Sequence, residues 1–283
     1  MILIDGKKVS AEVRACLAKE AKELKEKTGR VPGLATVLVG DDPASAVYVR
    51  NKNKICRELG FNSFEQKLAT DTPEAKLLQL IKELNSNKDI HGILVQLPLP
   101  NQIDSEKILQ AIDPNKDVDG FHPINVGKLV VGNALLTPCT PTGIIKLLDY
   151  YEIDISGKHA VILGRSNIVG KPVSMLLLQR NATITICHSR TKNLDEITRS
   201  ADILVAAIGR ANFVTENMVS EGTIVIDVGI IRVDGKLTGD IKFEPVSKKA
   251  SYITPVPGGV GPMTIALLME NTLKAFKKSI DIN

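Results

Sequence analysis

The chain has 283 residues, of which 24% are charged and 43% hydrophobic, and its net charge is +4. That length suits two medium domains, and a fold of this size hides roughly 75% of its unfolded surface, so its stability needs neither disulfide nor metal. The Lys and Arg surplus is scattered among acids, without a basic stripe and interleaved aromatics. This argues against nucleic acid and leaves an acidic small molecule or a phosphate-bearing cofactor as partner.

Trp is absent and aromatics are only 4%, so the cores must be aliphatic. Cys16, Cys56, Cys139 and Cys187 form no C-x-x-C pair, which disfavours a zinc ribbon or redox motif. Free thiols fit a reducing cytoplasm. The start, MILIDGKK, turns charged too soon for a secretion signal, and no apolar run approaches the roughly 18 residues of a membrane span.

In chain order the pattern alternates helix and strand. Val9, Val13, Leu17, Ala21 and Leu24 predict a helix over 9–27. The apolar run 34–39 predicts a buried parallel strand. Asp42-Pro43 then supplies an N-cap and a Pro at the first helical position, opening a helix to about Leu59 that ends at Gly60. Residues 61–68 read as a strand. Asp71, Pro73 and Glu74 open a helix to about Asn85, 92–97 is the next strand, and Asp104 caps a helix through Ile112. The stretch 113–141, rich in Gly, Pro and Asn, reads as a connection, and 142–151 as a helix. Strands follow at 160–163, 183–187, 203–207 and 223–228, with a helix over 170–179 between the first two. The last helix spans 262–277. The expected fold is α/β with two α/β domains, the second a Rossmann-type doubly wound parallel sheet, and a cleft between them. The expected division is 1–138, completed by the C-terminal segment 262–283, and 139–261.

The strand HAVILG, the turn RSNIVGKP and a helix come in the order in which a Rossmann fold holds a pyrophosphate. Gly164 supplies the turn, Ser166 stands where a second glycine would, and Gly170 opens the helix. After the next strand an NAD enzyme carries an acid for the ribose 2′-hydroxyl. Here the chain reads His188-Ser189-Arg190-Thr191-Lys192. Ser189, Arg190 and Arg165 suit a 2′-phosphate, so NADP is expected over NAD; the plainer account of Arg190 is a solvated loop cation.

On the helix after Pro43, Ala44, Tyr48, Lys52, Ile55 and Leu59 fall within an arc of about 80°. Lys52 thus sits on a largely apolar face. Such a lysine usually snorkels to water; the sharper reading is a partly desolvated amine of lowered pKa, fit for proton transfer, with Tyr48 one turn away. Gln96 closes the strand HGILVQ, at an edge where ligands bind, and could bond Lys52 or a substrate. Asp117 and Asp119 are paired acids, but no His or third acid has ligand spacing, so no metal is expected. Asp119 could accept two N–H bonds from a guanidine-like ring edge. PVPGGVGPMT, near the end, offers backbone groups to a ligand or makes a turn.

Together YVRNK (48–52), VQLPLP (95–100), KDVDG (116–120), GRSNIVGKP (164–172) and PVPGGVGPMT (255–264) resemble the bifunctional methylenetetrahydrofolate dehydrogenase/methenyltetrahydrofolate cyclohydrolase family. The resemblance spans nearly the whole chain and implies two reactions. 5,10-Methylenetetrahydrofolate passes hydride to NADP, and water opens the resulting 5,10-methenyl cation to 10-formyltetrahydrofolate. It implies Lys52 as catalytic base, Gln96 tuning its protonation, Tyr48 positioning the folate and Asp119 holding the pterin edge. Val95, Leu97, Gly258, Gly259 and Pro262 would border the folate, and Gly164, Arg165, Ser166, Ser189, Arg190 and Ile230 the dinucleotide. It further implies a homodimer. The competing readings are an NADP dehydrogenase without the hydrolytic step and a non-catalytic dinucleotide sensor; a sensor needs neither Lys52 nor Gln96.

Overall fold

The computed structural model describes residues 1–282. In chain order the elements are β1 (Ile2–Leu3), α1 (Gly6–Thr28), β2 (Gly33–Val39), α2 (Pro43–Glu58), β3 (Asn62–Leu68), α3 (Glu74–Ser86), β4 (Gly92–Val95), α4 (Ser105–Ala111), α5 (Pro123–Val130) and α6 (Cys139–Tyr150). There follow β5 (His159–Leu163), α7 (Gly170–Gln179), β6 (Thr183–Cys187), α8 (Leu194–Arg199), β7 (Ile203–Ala206), β8 (Ile224–Asp227), β9 (Ile231–Val233), β10 (Lys236–Thr238), α9 (Phe243–Ser247), β11 (Tyr252–Ile253) and α10 (Val260–Ser279). Among the described residues no helix is long and apolar enough to cross a membrane.

The chain forms two compact units. One takes Glu12–Cys139 and the chain from Leu268 on. Its sheet is three-stranded and parallel, in the order β3-β2-β4. Every residue of the central β2 is buried, which explains its apolar run. Leu77, Ile81 and Leu84 of α3 and Ile108 of α4 pack in the same core as Val37 and Ile93; full burial of each such aliphatic side chain contributes about 1.5–3 kcal/mol.

The other unit takes Met1–Ala11 and Thr140–Leu267. Its sheet has six parallel strands in the order β1-β11-β8-β7-β5-β6, the crossover pattern of a doubly wound fold. Residues 1–11, expected from the sequence in the first domain, cluster with this unit, where Ile2 and Leu3 pair with Tyr252 and Ile253. Two paired residues are too short a strand to show as periodicity.

The sequence places α7 and β6 where they are found. Three local expectations change. Asp71 is not the cap of α3, which starts after Pro73 without a side-chain cap. The Glu74 carboxylate instead receives the Asp104 N–H at 2.9 Å and pairs with Lys107, so it organises the start of α4. The strand expected to reach Leu97 stops at Val95. The stretch 113–141, expected as a connection, contains α5 and is part of the first unit; it joins the sheet where Ile93 N–H donates to Lys116 O at 2.8 Å.

Candidate functional site

In the unit carrying Lys52, the first question is how α2 is turned. Asp42 caps it through the Ser45 N–H at 2.7 Å, and Pro43 occupies its first turn. The buried stripe is Ser45, Val49, Asn53 and Cys56. This corrects the sequence-based face. Ala44 and Tyr48 are exposed, and Lys52 is half-buried at the edge of the true stripe. Two of the four stripe residues are polar, which hid it from a hydrophobic pattern. Asn53, fully buried, accepts a hydrogen bond from Thr36 of β2 at 2.8 Å, tying the helix to the central strand.

Lys52 Nζ donates to Gln96 Oε1 at 3.0 Å. Gln96 stands one residue beyond β4, held by its own N–H to Val37 O at 2.9 Å. Its Nε2 donates to Leu97 O at 2.7 Å. That contact fixes the amide orientation, since the nitrogen serves the carbonyl and the oxygen is left to face the lysine. Leu97 is half-buried and precedes a cis Pro98. Val95, with 2% exposure, sends its side chain into the core, so a ligand would meet it only through the backbone.

Asp119 lies on a tight turn that closes through Gly120 N–H to Asp117 O at 3.1 Å. Gly120 is required there: its φ is +73°, and a Cβ would lie 2.6 Å from the Thr137–Pro138 backbone. The two acids have separate tasks. Asp117 is buried and spends its carboxylate on the N–H groups of Phe121 and His122 and on Asn125 Nδ2. Asp119 is half-buried, and burial pushes its pKa up to about 6, with the charge of Lys52 pulling against the rise and Asp117 adding to it. Asn271 of α10, missed in the sequence, supports this turn by donating to Val118 O at 2.9 Å and Thr137 O at 2.8 Å. Cys139 lies alongside, its thiol pushed up by burial and bonded to Val118 O at 3.2 Å.

The other unit carries the glycine turn. Gly164 follows β5 with φ +113°, and a Cβ on it would stand 2.3 Å from Ala207 O. A Cβ on Gly170 would stand 2.2 Å from Gly164 O. Ser166 has a different task from a second glycine: its Oγ accepts the N–H groups of Val169 at 3.1 Å and Gly170 at 3.2 Å, capping the entry to α7. Gly164, Arg165, Ser166, His188, Ser189 and Ile208 line a cavity of about 350 Å³, which Arg210 and Phe213 complete. Arg190 is exposed outside that lining, with its N–H donated to His188 Nδ1 at 3.2 Å. Ile230 is 43% exposed and sits against Gly261 rather than in this cavity. Gly258, at φ +112°, accepts Lys7 N–H through its carbonyl at 3.1 Å. Gly259 packs on Thr254 and Pro255, and Pro262 lies in the first turn of α10.

Sequence reasoning missed the carboxylates beneath this cavity. Asp240, fully buried, accepts the N–H groups of Ile208 at 2.7 Å, Gly209 at 3.2 Å and Arg210 at 2.7 Å. It thereby shapes the segment that lines the pocket. Asp227 in turn accepts the N–H groups of Gly229, Asp240 and Ile241. Burial pushes Asp227 up to about 7, against the lowering pull of those N–H groups and with the Asp240 charge adding to the rise. Room for both carboxylates comes from glycines: a Cβ on Gly239 would lie 1.9 Å from Asp227 Oδ2, and one on Gly229 2.6 Å from Asp240 Oδ1. An Asp flanked closely by Gly, as in D-x-G and G-D, was the available signal.

The family models follow this division over 12–119 and 140–267 and differ from it at residues 4–11 and 268–280. Residues 4–119 match the tetrahydrofolate dehydrogenase/cyclohydrolase catalytic domain, and residues 138–280 match the NAD(P)-binding domain of the same family. A bifunctional protein FolD of Streptococcus gordonii is 56% identical over 280 residues, covering 99% of each chain. The solved methylenetetrahydrofolate dehydrogenase/cyclohydrolase of Campylobacter jejuni shares 52% identity with a TM-score of 0.96, covering 98% of this chain and 99% of its own. That of Trypanosoma brucei, complexed with NADP and an inhibitor, shares 39% with a TM-score of 0.95, covering 99% and 98%. The chain belongs to the tetrahydrofolate dehydrogenase/cyclohydrolase family, and it is a bifunctional enzyme with both activities.

Proposed function

We propose that the two activities divide over the residues as follows. The enzyme oxidises 5,10-methylenetetrahydrofolate with NADP and hydrolyses the methenyl product to 10-formyltetrahydrofolate. Hydride leaves the methylene carbon for the nicotinamide. The cation left behind is stabilised by the two nitrogens that flank it, so the step needs no Lewis acid. Water then adds to that carbon; as the C–N5 bond breaks and the formyl C=O forms, one water proton ends on N5 and the other must be carried away.

Lys52 is the group that handles this proton. The observation that carries the assignment is its 3.0 Å bond to Gln96 Oε1. A carbonyl oxygen accepts an N–H from an ammonium or from a neutral amine alike, so the pair keeps its geometry through a proton cycle. Asp119, within the field of Lys52, accepts two N–H bonds from the pterin edge when ionised. Tyr48, on the exposed edge of α2 one turn before Lys52, positions the ring. Leu97 and the backbone at Val95 border the folate, as do Gly258, Gly259 and Pro262.

NADP is the cofactor. Gly164 and the start of α7 take the pyrophosphate, with Arg165, Ser166 and Ser189 on the cavity wall. Arg190, with Ser189, meets the 2′-phosphate, where no carboxylate follows β6; Ile230 borders the nicotinamide end. A homodimer belongs to the same reading and would show as twice the chain mass in light scattering. A cytoplasmic setting fits the four free thiols.

The assignment of Lys52 is tested by Lys52→Met. Hydrolysis of methenyltetrahydrofolate should fall by roughly 10²–10⁴, the worth of positioned acid–base catalysis, while NADP affinity is kept. Hydrolysis at the wild-type rate would remove Lys52 from the mechanism.

A further inference from the structure

A second cavity, of about 570 Å³, opens in the unit that carries Lys52. Arg30, Lys88, His91, Lys116 and Lys278 line it, and among the described residues no carboxylate does. It lies at the opposite end of β4 from the Lys52 pair. His91 precedes the strand and Gln96 follows it, a separation of about 17 Å at the rise of a parallel strand.

The cations are set in place without being neutralised. Lys116 Nζ donates to the carbonyls of Leu84 at 3.3 Å and of Asn85 and Asn87, each at 2.7 Å, where α3 ends, so its three donors are used and it acts on the cavity through its charge. Arg30 donates to Lys88 O at 3.2 Å and lies over the Phe276 ring. Lys278 donates to the neutral amide of Asn115 at 2.8 Å. Each of these hydrogen-bond partners is uncharged; burial lowers the Lys116 pKa, against the charge of Asp113, which stands outside the cavity lining.

His91 adds an independent observation. It is 4% exposed, and its Nδ1 accepts the Gly33 N–H at 2.9 Å. The proton of the neutral ring is therefore on Nε2, which is buried and has no partner. Burial lowers the His91 pKa to about 4, with Arg30 and Lys116 pushing the same way and Asp89 against them, so the ring stays neutral. A buried N–H without an acceptor calls for one.

We infer that this cavity binds a phosphate group, with oxyanion oxygens accepting from His91 Nε2 and facing Arg30, Lys116 and Lys278. A phosphate has several acceptor oxygens and close to two charges, which matches donors approaching from different sides better than a single carboxylate does. The cavity is larger than one phosphate and has the size of a small-molecule site. The group is therefore either free inorganic phosphate or the phosphate of a larger metabolite.

The experiment follows the imidazole nitrogen signals of the NADP-saturated enzyme by NMR at constant ionic strength, so that the dinucleotide cavity is filled. Inorganic phosphate and adenosine monophosphate are titrated separately. The expected result is a saturable shift confined to His91, weakened about tenfold or more in Arg30→Gln/Lys278→Ala. Tighter binding of the nucleotide would identify a phosphorylated metabolite; equal or weaker binding would identify free phosphate. Arg30 and Lys278 are exposed, so methenyl hydrolysis by the double variant should match wild type and serves as the folding control. No saturable His91 shift with either probe, or unchanged affinity in the double variant, would overturn the proposal.

Discussion

The region around Lys52 and the region around Gly164 are built in different ways. At Lys52 the arrangement is made by side chains: an amine on α2 bonded to an amide after β4, with a carboxyl on the Asp117–Gly120 turn in its field. At Gly164 it is made by backbone. A glycine without room for a Cβ turns the chain, Ser166 ties down the helix entry, and a buried Asp240 gathers three N–H groups of the facing segment. The contrast fits the two chemistries. Moving a proton needs a titratable group at one point, whereas holding a dinucleotide needs a shaped surface of N–H groups along its length.

Substitutions that separate the two regions sharpen this comparison. Beyond Lys52→Met, the largest effect is expected from Gly164→Ala. The added methyl would meet Ala207 O at 2.3 Å and a φ that L residues avoid, a strain of about 1–3 kcal/mol before any ligand is lost. NADP binding, followed by fluorescence titration, should fall by at least about tenfold, while methenyl hydrolysis survives. Equal loss of both activities would show that the two regions are not separable.

Asp240→Asn comes next. An amide turns one of two acceptor oxygens into a donor facing backbone N–H groups, which costs about 1–3 kcal/mol for a buried group left unsatisfied. The KM for NADP should rise about tenfold, with the rate of methenyl hydrolysis unchanged.

A pH profile probes the side-chain region. Because burial raises the Asp119 pKa to about 6, the carboxylate proposed to accept the pterin N–H groups is present above that pH and is lost as pH falls through it. The KM for the folate should therefore rise below about pH 6. In Asp119→Asn the KM should be high and flat across the same range; a wild-type KM that is flat from pH 5 to pH 8 would remove this role.

The smallest effect is a shift in preference. Arg165→Ala with Arg190→Ala should weaken NADP by about fivefold and NAD much less, since only NADP carries the 2′-phosphate. Equal weakening of both would point to general disruption of the loop.

The backbone-built region was the more legible of the two in the sequence, and for a physical reason. Strand, glycine and helix are adjacent along the chain, so Gly164, Gly170 and the bounds of α7 can be read from local order. The support beneath it was not legible: Asp240 serves N–H groups about thirty residues earlier, and nothing local announces such a pairing. In the side-chain region Lys52 and Gln96 were singled out, but Lys52 was set within an incorrect face of α2. Polar Ser45 and Asn53 lie in its buried stripe, and only the tertiary bond from Thr36 to Asn53 reveals that. The helix α5 was missed because its sequence shares the Gly, Pro and Asn of a loop.

The central claim is that proton handling and dinucleotide binding rest on separate residue sets. Its most direct test is a crossed measurement of methenyltetrahydrofolate hydrolysis and NADP dissociation constant in Lys52→Met and Gly164→Ala. The account expects Lys52→Met to lose hydrolysis and keep NADP, and Gly164→Ala to do the reverse. Wild-type hydrolysis in Lys52→Met, or joint loss of both properties in each variant, would contradict it.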